Sequence, residues 1–195
     1  MKISSLLSGL AFAALASTAA LAQAPAQPAA PPPPEIKNVG DWLVRCYPAQ
    51  TQSPCDMYQQ QNDAKSQQRV LAMSIAYVPR LDRHAIQISV PLGISVQKGV
   101  VLHAGAYSSA VLPYRRCDRG GCYVEMLLDN ATIDQLSHAT DNALIRITAD
   151  DGKNYDLKLS MNGFIAAHDS MTEQAKAKAK AAPAEPSGAA APSKK

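Results

Sequence analysis

Four cysteines, four histidines and a cluster of arginines are the residues of this 195-residue chain whose types and spacing could do chemistry. The cysteines, Cys46, Cys55, Cys117 and Cys122, allow three pairings. Closing a short loop costs less chain entropy than joining distant segments, so Cys46 with Cys55 and Cys117 with Cys122 is the favoured set. A four-thiolate zinc site would use the same residues, but C-x8-C and C-x4-C are loose for zinc knuckles, and an oxidising compartment turns such thiols into disulfides. Dithiol redox catalysis wants C-x-x-C, which is absent.

The histidines, His84, His103, His138 and His168, fall on four separate predicted elements, with no two at metal-chelating spacing. Each is expected as a surface or part-buried side chain, with no metal site and no cofactor. Serine hydrolysis finds no G-x-S-x-G. Asp150-Asp151-Gly152 resembles calcium-loop vocabulary, but no bidentate glutamate follows at the required distance, and the residues read as a hairpin turn.

Arg115, Arg116 and Arg119 crowd the stretch from Val111 to Asp129, VLPYRRCDRGGCYVEMLLD. Two strand-type runs flank Asp118-Arg119-Gly120-Gly121, whose glycines suit the positive φ of a tight reversal, so the stretch is predicted to be a hairpin tied by Cys117 and Cys122. Arginine forks recognise phosphate and carboxylate bidentately, and a rigid tip of this kind could dock an anionic glycan, lipid head group or acidic protein face. The competing reading is a solvated turn whose arginines pair with Asp118 and its neighbours.

The elements that must position these residues lie between two compositionally distinct ends. Lys2, the apolar run to Leu15 and Ala20-Leu21-Ala22 have the layout of a secretory signal over residues 1–22, and the run is shorter than the ~20 apolar residues of a bilayer span. Residues 23–37 read as a Pro/Ala-rich linker and residues 172–195 as a disordered Ala/Lys/Pro-rich tail, leaving one domain at 38–171. The formal charge of +3 belongs to those ends: from Asn38 to Met171 twelve Lys and Arg face thirteen Asp and Glu. A nucleic-acid binder would usually carry its excess positive charge on the fold, so no nucleic-acid partner is expected, and no transmembrane span is expected in the mature protein.

Within the domain, alternation marks strand after strand. Trp42, Val44 and Cys46 share a face, as do Leu71, Met73, Ile75 and Tyr77, then Ile86, Ile88 and Val90. The polar run from Met57 to Asn62 reads as a short edge strand and loop. Ala143 to Ala149 and Tyr155 to Met161 read as a second hairpin, and Asp129 or Asn130 caps a short helix. A terminal helix opens at Gly163. Close strand spacing with few helices predicts an antiparallel β-sandwich, with a closed barrel as the alternative that spacing does not separate.

The order GDWLVRC, a second cysteine, SVPLGISVQKGVVLH, LPYRRCDRGGCYVEMLLD and LKLSMNGFIAA resembles the invasion-associated locus B family over Val39 to Ala167. The resemblance implies an all-β, immunoglobulin-like sandwich exported to the periplasm, the outer envelope or the medium of a Gram-negative cell. In pathogenic members the family is linked to host-cell invasion, and it has no agreed catalytic activity or catalytic residues. The expectation is a non-catalytic module acting on an envelope or host surface partner of anionic character. The alternative is a periplasmic ligand-binding or hydrolytic protein whose site assembles only in three dimensions.

Overall fold

The computed structural model describes residues 32–48, 51–139 and 143–181. The expected signal segment, most of the linker and the last part of the tail lie outside them. In chain order the elements are β1 (Glu35–Val39), β2 (Trp42–Cys46), β3 (Cys55–Asn62), β4 (Arg69–Val78), β5 (Arg83–Val90), β6 (Val100–Ala104), β7 (Tyr107–Ser108), β8 (Arg116–Asp118), β9 (Gly121–Leu128), α1 (Asn130–Ser137), β10 (Ala143–Thr148), β11 (Asn154–Leu159) and α2 (Phe164–Ala181).

Every pairing is antiparallel. A seven-stranded sheet has the order β1-β2-β3-β4-β5-β9-β8, and a four-stranded sheet the order β11-β10-β6-β7. Two separate sheets make an open sandwich and not a barrel. Because strand side chains alternate between faces, the predicted inward sets are the buried ones: Trp42, Val44 and Cys46 on β2, Leu71, Met73, Ile75 and Tyr77 on β4, Ile86, Ile88 and Val90 on β5. They join Val100, Leu102, Ile145, Ile147 and Leu159 of the small sheet in one apolar cluster. Helix α2 adds Phe164, Ala167, Met171 and Ala175 to it, lying along β1 to β4. Trp42 meets Phe164 edge to face, with centroids 5.4 Å apart.

Helix α2 enters through a backbone-to-backbone contact that only glycine permits. Gly40, in the β1–β2 turn, and Gly163, ahead of α2, both have left-handed φ, of 58° and 81°. A Cβ on Gly40 would lie 2.5 Å from the Asn162 carbonyl oxygen, and one on Gly163 2.5 Å from that of Val39.

Three expectations change. The run from Met57 to Asn62 is not an edge but part of β3, an interior strand between β2 and β4. Its polarity misleads because Gln59 points inward and, at 3% exposure, is buried with its amide fully bonded. The folded unit also reaches further at both ends: Glu35, Ile36 and Lys37 belong to β1, and α2 continues past Met171 to Ala181 with Ala175 completely buried. Alanine carries no hydrophobic signal strong enough to mark that docking in the sequence. Finally, of the two turn glycines only Gly121 has positive φ.

Helix α1 begins as expected. Asp129 accepts a hydrogen bond from the Thr132 N–H at 2.8 Å, and the Thr132 side chain followed by that backbone bond holds its carboxyl below the usual range; Ile133 and Leu136 are the buried pair.

Candidate functional site

The hairpin of β8 and β9 is built from the turn outward. Cys117 and Cys122 are direct cross-strand partners with Cα atoms 4.0 Å apart, and a disulfide joins them. The other disulfide, Cys46–Cys55, likewise joins a cross-strand pair, of β2 and β3, and no described cysteine is free. Both bridges therefore tie neighbours within the large sheet. Gly121 has φ 132°, and a Cβ there would come within 2.2 Å of the Val90 carbonyl oxygen, so β9 reaches its register beside β5 only with glycine at this position. Asp118 closes the turn by accepting from the Gly120 N–H at 2.8 Å. That bond, followed by the charge of Arg116, holds its carboxyl below the ordinary value.

The three arginines do not share one environment. Arg116 is committed: its guanidinium lies 3.9 Å over the Tyr123 ring, pairs with Asp118 and reaches Glu125 at 3.1 Å. Arg115 is 71% exposed and touches Glu125 only at 3.5 Å. Arg119, at the turn, has no hydrogen-bond or ion-pair partner among the described residues. A fourth arginine joins from the start of β4, where Arg69 donates to the Gly120 carbonyl at 3.1 Å and to Ser89 at 3.3 Å. The tip thus gathers four arginines against two carboxylates, an excess of two positive charges. Sequence reading missed Arg69 because only the β4–β5–β9 pairing brings it there; nothing local to residue 69 signals it.

Beside Arg115, the outer face of the large sheet dips into an open cleft of about 550 Å³, lined by Ser74, Ala76, Ala85, Gln87 and Leu127. Small side chains on successive strands form its floor: Ala76 lies opposite Ala85, and Ala85 opposite Leu127. Glu125, on its rim, accepts from Gln87 at 2.9 Å.

The four histidines end in different settings. His138 caps the end of α1 with Nδ1 2.7 Å from the Asp134 carbonyl oxygen, and His103, on β6, has a buried Nε2 without a partner. His84 and His168 do come together, against the sequence expectation of four separate sites: their Nε2 atoms are 3.0 Å apart. His84 is 4% exposed, and burial, then the proximity of His168, pushes its pKa down to about 4. Tyr77 lies against it with ring centroids 5.3 Å apart and donates to Asp82 at 2.6 Å, a bond that with burial pushes the phenol up to about 12. Among the described residues no three His, Cys, Asp or Glu side chains converge.

Known proteins resemble this chain in sequence and in fold. The chain is 26% identical over 129 residues to an invasion protein B homolog of Brucella abortus (strain 2308), covering 66% of this chain and 74% of that one. The same figures hold for a homolog from Brucella abortus biovar 1 (strain 9-941). The crystal structure of invasion associated protein B from Bartonella henselae superposes with a TM-score of 0.61 at 23% identity, over 73% of this chain and 99% of that chain, which shows a shared fold. The model of the invasion associated locus B (IalB) proteins matches residues 42–172, from the first core strand into the second turn of α2 and beyond, and the chain belongs to that family.

Proposed function

We propose that this invasion-associated protein is an exported, non-catalytic module of the cell envelope that docks an anionic surface through the β8–β9 tip. The observation that carries the reading is the charge imbalance on a disulfide-tied hairpin, with Arg119 unpaired and Arg115 largely exposed. Arg116 and Arg69 hold the tip and are positioned by it. Arg115 and Arg119 are the groups that meet the partner. A pre-organised tip loses little loop and side-chain entropy on binding, so a few charge-assisted contacts suffice for measurable affinity. The adjoining cleft, with its alanine floor, offers an apolar complement to those charges. Export is supported by the signal-like N-terminus and by the pairing of all four cysteines.

The test is a pull-down from envelope and host-membrane fractions with the wild type and with Arg115→Ala/Arg119→Ala. Loss of the captured partner in the double variant, together with release of the wild type as salt rises and the screening length shortens to about 8 Å, is the expected result. Identical partner sets from the two proteins at every salt concentration would return the arginines to solvation of a turn.

A further inference from the structure

The contact between His84 and His168 lies on a different part of the molecule from the arginine tip and asks for its own explanation. His84 stands at the start of β5 and His168 on the second turn of α2, 84 positions apart, with Nε2 facing Nε2 at 3.0 Å. Asp169 is 3.1 Å from His168 Nδ1. An ionised carboxylate only accepts, so Nδ1 of His168 carries the hydrogen and its Nε2 presents a lone pair to His84. The other nitrogen of His84, Nδ1, is buried without a hydrogen-bond partner. With the hydrogen on His84 Nε2, the 3.0 Å separation is an N–H···N hydrogen bond from His84 to His168. A metal cation that displaces that hydrogen meets both nitrogens at once.

We propose that His84 and His168 form a two-imidazole site for a divalent transition-metal ion, copper(II) in preference to zinc. With metal–nitrogen bonds of about 2.0–2.1 Å, donors 3.0 Å apart subtend roughly 91–97° at the ion, the cis angle of a tetragonal centre. Copper(II) also stands above zinc in the order of affinities of a given nitrogen site for the divalent metals. Asp169 supplies the outer carboxylate that commonly orients a ligating histidine and fixes its tautomer. The charged groups around the pair are Asp82, from the β4–β5 turn, and Asp169, against Lys176, which lies 5.1 Å over the Tyr77 ring. The balance is one negative charge. His168 is the open side, at 21% side-chain exposure, so solvent completes the coordination there. An ion in this position would clip α2 to β5.

The experiment uses the full, untagged chain freed of metal by chelator, titrated with copper(II) at neutral pH, with electron paramagnetic resonance and a competing chelator as readouts. One copper per chain, nitrogen hyperfine structure from two imidazoles, and an affinity at least about 10-fold above that of His168→Gln are expected. His168→Gln changes the exposed partner, and circular dichroism checks that its fold is kept. His138→Ala, remote on α1, should bind as the wild type does. Equal copper affinity in wild type and His168→Gln, or no copper retained by the wild type at equimolar concentration, overturns the proposal and leaves the pair as a hydrogen-bonded contact.

Discussion

The Gln59 side chain and the Ser160 backbone hydrogen-bond to each other in both directions: Gln59 Nε2 donates to the Ser160 carbonyl at 3.1 Å, and the Ser160 N–H donates to Gln59 Oε1 at 2.8 Å. The same amide donates to the Asp41 carbonyl at 3.2 Å, and the Trp42 indole N–H shares the Ser160 carbonyl at 3.0 Å. One buried glutamine thereby ties the large sheet to the end of β11, where the chain turns into α2. Gln59→Leu leaves a buried N–H without an acceptor, and an unmade bond of that kind costs about 1–3 kcal/mol. Urea unfolding should show that loss, and Gln60→Ala, on the solvent face, should stay within about 0.5 kcal/mol of wild type.

Shortening the chain tests how far α2 docks. A protein ending at Met171 loses the fully buried Ala175 and the Lys176 ammonium over Tyr77. It should be less stable by about 1–2 kcal/mol, with a Tm lower by a few degrees than a chain ending at Ala181. Equal melting temperatures would mean that the last turns of α2 contribute nothing to the fold.

Each disulfide closes a short loop, with sequence separations of 9 and 5. The chain-entropy relation gives about 2–3 kcal/mol for each, slightly more for Cys46–Cys55. Unreduced peptide mapping should recover both local cross-links, and the paired Cys→Ala variants should unfold at lower denaturant by that amount. A cross-link joining the β2–β3 pair to the β8–β9 hairpin would contradict the structure.

His84 makes stability depend on pH in a defined direction. Its folded pKa, about 4, is below the ordinary value of 6.5, so between those values the unfolded chain binds the proton more readily. The stabilisation is complete above pH 6.5 and is lost as pH falls towards 4, up to about 3 kcal/mol in all. Asp82 and Asp169 act on this pair from the carboxylate side and Lys176 and His168 from the cationic side. Metal-free protein unfolded in urea at successive pH values should weaken through this window, and a flat profile from pH 7 to 4 would exclude a neutral, buried His84.

Much of the fold was legible in the sequence because its causes are local. A strand's inward set follows from alternation over two residues, so Trp42, Val44 and Cys46 could be placed together without knowing what covers them. The bridges could be paired because each closes a short loop, and α1 could be started at Asp129 because an N-cap bonds only three residues ahead. Other features exist only once distant elements pack. Gln59 is polar by composition and buried by position, since its partners are 18 and 101 residues away. Ala175 is core because α2 lies close along the sheet, a distance that no periodicity of small residues reveals. Arg69 reaches the hairpin across β5, and His84 meets His168 across a helix–sheet contact. The chain's local pattern determined which faces had to be covered; tertiary packing decided what covered them, and with it which arginines stay unpaired and which histidines meet.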